Sequence, residues 1–135
     1  MLRIEVPDID KGWQRASYFI RVGNIAALKV LFNEGVDPNL QGRHGYSLLH
    51  MAVHHRSEVV VRLLVEKEEV NVNIRDNKGR TPLWEAVSRG YEAVVELLLD
   101  SDKVDPDAKD VNGRTPLFAA VMGCLLYTSP SPRDS

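Results

Sequence analysis

At 135 residues with 44% hydrophobic content, the chain is long enough for one domain whose core needs no cofactor to build it. Seventeen basic against 19 acidic residues give a net charge of −2, which excludes the basic excess that nucleic-acid binding requires. No run of about 18 apolar residues occurs, and the opening Met-Leu-Arg-Ile-Glu-Val-Pro-Asp lacks the apolar stretch of a secretory signal, so an intracellular protein, cytoplasmic or nuclear, is expected.

Residues 1–10 match nothing later in the chain and read as a leader or short strand. Beyond them the glycines set a register: Gly12 lies 33 residues before Gly45, and Gly45, Gly79 and Gly113 are 34 apart. Self-similarity at such a period marks stacked repeats, each burying its apolar face against the next. The first unit, residues 11–41, keeps the register loosely. Phe19 stands where later units carry a small Ala, and Gly23-Asn24 matches an inter-helix turn before the run Ile25 to Phe32. Terminal repeats face water on one side and are atypical, so this unit reads as an N-terminal cap. Trp13 is expected to pack over the exposed end of the stack.

The second unit, residues 42–75, aligns Tyr46-Ser47-Leu48-Leu49-His50-Met51-Ala52-Val53 with Arg80 to Val87 and with Arg114 to Val121. It holds His50, His54 and His55. Two histidines four apart on a helix can chelate zinc, but no third ligand has a sensible spacing and no glutamate completes an H-E-x-x-H frame, so no metal site is expected. Lys67-Glu68-Glu69 reads as a solvated loop.

The third unit, residues 76–109, is the best formed. Thr81 is an N-cap, able to accept from a free N–H of the first turn. Pro82 follows at the first helical position, where its missing N–H costs nothing. Leu83, Ala86 and Val87 share one face, and Gly90 suits the left-handed stop. A second helix from Tyr91 to Leu99 presents Val94, Val95, Leu98 and Leu99. Trp84 is expected to pack between neighbouring inner helices, the alternative being an aromatic anchor on the concave face. Asp37-Pro38-Asn39, Asn71-Val72-Asn73 and Asp105-Pro106-Asp107 close successive units, and with Asp76-Asn77-Lys78-Gly79 they are turn formers.

The fourth unit, residues 110–123, begins in register with Gly113-Arg114-Thr115-Pro116-Leu117 and then fails. Cys124 replaces the stop glycine, and Pro130 and Pro132 fall inside the second-helix register, where a proline costs about 3 kcal/mol relative to Ala. The unit therefore reads as truncated, without the outer helix that would cover Phe118 and Val121. Cys124 to Asp134 corresponds to one reading frame of a transposase-type sequencing adapter, so residues 124–135 read as a non-native translation. The only cysteine lies there, which leaves thiol chemistry without a footing.

A hairpin turn followed by two antiparallel helices, repeated every 33 or 34 residues with Gly-Arg-Thr-Pro-Leu at the first helix, resembles the ankyrin repeat over residues 11–123. The resemblance implies an all-α ankyrin-repeat solenoid of helix-turn-helix units joined by hairpin loops. It departs from the family at Trp84 and Phe118, where His is usual and only His50 keeps it. Ser47-Leu48 replaces Thr-Pro, which implies a weaker helix start. By the same resemblance His50 ties its helix start to the adjacent turn, while hairpin tips and the concave inner-helix face contact partners. Those positions are Arg43, His44, Tyr46, His54 and His55 in the second unit, and Asn77, Lys78, Arg80, Ser88 and Arg89 in the third. In the fourth they are Val111, Asn112, Arg114 and Met122.

The strip so defined carries five Lys or Arg and no acid, which suits a protein partner with acidic residues or exposed carbonyls. Arg80 and Arg114 also have a plainer reading, as braces of the hairpin. The carboxylate pairs Asp8/Asp10 and Asp100/Asp102 lie in turn-like segments with no partnered base, and no nucleophile motif or phosphate loop is present. A monomeric, non-catalytic protein-interaction module without cofactor or metal is expected. The alternative is a regulatory or targeting segment of a larger enzyme whose catalytic domain lies outside these residues.

Overall fold

A computed structural model describes residues 8–127, with side chains described over 12–122. Helices α1 (Asp8–Val22) and α2 (Ile25–Asn33) form the first pair. A 3₁₀ turn at Arg43–Gly45 leads to α3 (Leu48–His54) and α4 (Glu58–Glu66). Then come α5 (Pro82–Arg89), α6 (Glu92–Leu99) and α7 (Pro116–Tyr127). Helices α1, α3, α5 and α7 pack in sequence as an inner row, and α2, α4 and α6 back α1, α3 and α5 as an outer row. The extended structure among the described residues is a single bridge, Gln41 with Ser47.

The core runs between the two rows. Ala16, Ile20, Leu28 and Leu31 fill the first layer, Leu48, Leu49, Val53, Val60 and Leu64 the second, and Leu83, Ala86, Val94 and Leu98 the third. The apolar face expected for α6 holds at Val94 and Leu98, but Leu99 is 50% exposed. Positions 94 and 98 share one ridge at i,i+4 spacing, and Leu99 turns away from it. No outer helix follows α6 among the described residues to cover it.

Each inner helix starts as its sequence dictates. Thr81 accepts from the Trp84 N–H at 3.1 Å and Thr115 from the Phe118 N–H at 3.2 Å. The start of α3 is not the weaker one. Ser47 Oγ accepts from the His50 N–H, and His50 Nδ1 accepts in return from the Ser47 N–H at 3.2 Å. This reciprocal box satisfies a second backbone donor, which the rings of Trp84 and Phe118 cannot do. Gly90 stops α5 at φ 71°, as read. Arg56 takes the same left-handed conformation at φ 55° in the register position of Gly23 and Gly90, and its guanidinium rests on the Tyr91 ring 4.9 Å away.

α1 starts at Asp8, so residues 8–10 are helical where a leader or strand was expected. In later repeats the corresponding stretch is a hairpin whose backbone bonds to the preceding hairpin, as Asn77 N–H does to the His44 carbonyl at 2.9 Å. The first repeat has no preceding hairpin among the described residues, and helix is the alternative that satisfies those backbone groups internally. Residues 128–135, most of the adapter-like segment, lie outside the described residues. α7 continues through Cys124 to Tyr127, consistent with the missing stop glycine.

Trp13 does not cap the outer end of the stack. Its indole N–H donates to the Tyr46 carbonyl at 2.8 Å, and its ring occupies the space that a Cβ on Gly42 would take. Gly42 holds the position of Asp76 and Asp110. In those repeats the carboxylate accepts two backbone N–H groups, Lys78 and Arg80 at 2.9 Å from Asp76. Without that anchor the second hairpin closes as a 3₁₀ turn, with His44 at φ 61°. Gly42→Ala should therefore cost about 1–3 kcal/mol by overpacking, while the same change in a Trp13→Ala background should cost little. Equal costs in the two backgrounds, measured by urea unfolding, would show that the ring does not occupy this space.

Candidate partner-binding surface

The hairpin tips stand in a row because each is bonded to the one before. Asn77 N–H donates to the His44 carbonyl and Val111 N–H to the Lys78 carbonyl, both at 2.9 Å. Farther back, Asn39 and Asn73 repeat the device with side chains. Asn39 Nδ2 donates to the Glu69 carbonyl and its Oδ1 accepts from Asn71 N–H, both at 2.7 Å. Asn73 does the same to Lys103 and Asp105. Arg43, His44, Asn77, Lys78, Val111 and Asn112 are consequently exposed along one edge. Among the described residues Arg43 and Lys78 have no ion-pair partner.

Behind the tips runs a second row, at the base of each hairpin. Tyr46 stacks on His50 with ring centroids 5.5 Å apart, Arg80 lies 4.1 Å over the Trp84 ring, and Arg114 lies 5.8 Å over Phe118. Burial, with Glu85 and Asp76, raises the Tyr46 phenol above its ordinary range despite Arg89 and Arg80, so it stays a neutral donor. The bracing reading fits Arg114, whose Nε donates to Asp110 Oδ2 at 3.1 Å. Burial opposes ionisation of Asp110, but the Arg114 and Asn112 N–H groups and the guanidinium outweigh it and hold the carboxyl below its usual range.

The three hairpin bases are tied to the preceding inner elements by ring N–H donors. Trp13 reaches the Tyr46 carbonyl, His50 Nε2 the Arg80 carbonyl at 2.8 Å, and Trp84 Nε1 the Arg114 carbonyl at 3.2 Å. Trp84 thus packs between inner helices, as expected, and also takes over the bridging task of His50. Both ring nitrogens of His50 are occupied, Nδ1 by Ser47 and Nε2 by Arg80. Among the described residues no group of three or more His, Cys, Asp and Glu could hold a metal ion.

On the concave face of α3 and α5 the structure gathers His54, Ser88 and Arg89 around a residue that sequence reasoning passed over. Glu85 is buried at 6% exposure. Its Oε2 lies 3.0 Å from Arg89 Nε and 3.4 Å from His54 Nδ1. Arg89 Nη2 lies 3.1 Å from the same His54 nitrogen, and Ser88 Oγ donates to the Glu85 carbonyl at 2.9 Å. Burial disfavours the Arg89 cation, but Glu85 and Tyr91 more than offset it and raise its pKa. The Glu-to-Arg spacing of four on one helix was the available signal. The strip is therefore less cationic than its named residues suggest, and Arg89 is held in place. Met122, 41% exposed, lies on α7, the inner helix after α5.

A groove of about 530 Å³ lies between α1 and α3, where His54, His55 and Tyr46 face Tyr18 and Arg21. A second, of about 650 Å³, adjoins it at Gln14 and runs to Trp13 and Arg43.

The family model for ankyrin repeats, in three copies, matches residues 15–110. The chain belongs to the ankyrin repeat family. No curated protein matches it significantly. Ankyrin repeats are generally protein–protein interaction modules and typically non-catalytic. No helix among the described residues of this ankyrin array is long and apolar enough to cross a membrane.

Proposed function

We propose that this ankyrin array binds another protein through its hairpin tips and the concave face of its inner helices, and that the partner presents acidic residues or carbonyls there. The observation that supports this reading is the bonded row of exposed tips, in which the Arg43 and Lys78 side chains have no ion-pair partner among the described residues. Arg80 and Arg89 contribute less, since one is stacked on Trp84 and the other is pinned by Glu85. Rigid secondary links between tips lower the entropy lost on binding, so an array of this kind recognises a partner without prior ordering.

Reversing the two tip charges together, Arg43→Glu with Lys78→Glu, should weaken capture of the partner at least about tenfold, roughly 1.4 kcal/mol. Both side chains are exposed, so circular dichroism and urea unfolding should be unchanged. Undiminished capture by a folded double variant would remove the tips from the interface.

A further inference from the structure

The two grooves along α1 share Gln14 as a lining residue, and the pair, here the trough, flanks the helix from the first hairpin tip to Arg21. Gln14, Ser17, Tyr18 and Arg21 fall at i, i+3, i+4 and i+7 of α1, so they make one continuous stripe on its concave side. Tyr46, Met51, His54 and His55 form the opposite wall, and Trp13 and Arg43 close the near end. The chain has more acidic than basic residues, yet among the described side chains no acid lines this trough. Its two arginines, Arg43 and Arg21, stand at opposite ends, and neither has an ion-pair partner among the described residues. Arg21 instead sits 5.3 Å over the half-exposed Tyr18 ring. His55 Nε2 is covered and has no hydrogen-bond partner.

We infer that this trough is a binding site for an extended acidic peptide segment of a partner protein, with carboxylates at Arg21 and Arg43 and the chain between them lying across Tyr18 and Tyr46. The inference rests on the proposed role in protein binding and names the α1–α3 side as its specificity site. Two guanidiniums without an ion-pair partner among the described residues favour carboxylates through charge-assisted hydrogen bonds. The exposed Tyr18 offers a flat apolar surface at low entropic cost.

The site couples to a proton. Burial first, then His54 on α3 and Arg21 on α1, hold the His55 imidazole below its ordinary range, against the opposing field of Glu85 on α5. A carboxylate at Arg21 cancels part of the repulsion, so the bound state takes up a proton at His55 at a higher pH than the free state does.

The test uses the full chain and a labelled peptide of five Gly-Glu repeats, with five Gly-Lys repeats and inorganic phosphate as controls at matched ionic strength. The Gly-Glu peptide should raise anisotropy and shift the backbone NMR signals of Gln14, Ser17, Tyr18 and Arg21. It should also raise the titration midpoint of the His55 ring. Arg21→Ser with Arg43→Ser should lower its affinity about tenfold, and Lys78→Ser should change it less than about twofold. Equal binding of the lysine peptide, equal competition by phosphate, or equal losses from Lys78→Ser would overturn the trough assignment. Partner capture that falls with the Arg43 and Lys78 reversals but is indifferent to Arg21→Ser would overturn the trough while leaving the tip reading standing. Indifference to both sets would overturn both.

Discussion

Trp84→Ala lowers the stability of the array by about 3–5 kcal/mol, whereas Trp84→Phe costs about 1–2 kcal/mol. The difference follows from what the indole does. It is 7% exposed, carries the Arg80 guanidinium on its face at 4.1 Å, and donates its N–H to the Arg114 carbonyl. Alanine leaves a cavity between the third and fourth inner helices and strands the Arg80 cation, whose Nε is already buried without a partner. Phenylalanine retains the packing and most of the cation–π contact and loses chiefly the hydrogen bond. The Arg114 carbonyl keeps its other donor, the Asp110 N–H at 2.8 Å, which limits that loss. Urea unfolding of the two variants checks the ordering. Equal losses would place the whole effect in the hydrogen bond, and a loss below about 1 kcal/mol for alanine would mean the ring is not packed as described.

His50→Ala costs about 2–4 kcal/mol at pH 7.5 and makes stability less sensitive to acid. The ring is fully buried and ties the start of α3 to the next hairpin: it accepts from Ser47 and reaches the Arg80 carbonyl. That pattern selects the neutral tautomer protonated at Nε2. Burial lowers the His50 pKa, outweighing the Arg80 carbonyl, Asp76 and Glu85, which raise it. With the folded value depressed, the stabilisation is fully present above the ordinary unfolded value of 6.5. It is lost as pH falls from there through the folded value, because the unfolded chain takes up a proton that the folded chain resists. His55 acts with the same sign, so the variant should show a shallower, not a flat, decline between pH 7 and 5. An unchanged slope would contradict the assignment of acid sensitivity to this ring.

The repeat register and the local stops and starts were legible because they depend on residue type at fixed offsets. Thr81, Pro82 and Gly90 each impose a backbone geometry through their own chemistry, and the structure places them in those roles. What escaped was whatever depends on a neighbour one repeat away. Trp13 was expected to pack over the exposed end of the stack, and only the missing side chain at Gly42 hinted that it turns toward the second hairpin, where later repeats have an aspartate anchor. Ser47 looked like a weak start because the reciprocal bond from His50 is a side-chain geometry, not a spacing. Arg56 shows the limit most plainly. Its register matches Gly23 and Gly90, yet its residue type argues against a left-handed turn. Glu85 was hidden for a different reason. A carboxylate on an inner helix reads as solvated until Arg89 and His54 are placed around it.

Under the proposed function, partners meet the tips and the inner row, not the outer helices. Backbone hydrogen exchange of the array, free and in complex with its captured partner, tests this directly. Slower exchange is expected at residues 43–46 and 77–80 and along the inner faces of α1, α3 and α5, with α2, α4 and α6 unchanged. Protection confined to α2, α4 and α6, with the tips exchanging as in the free chain, would contradict it.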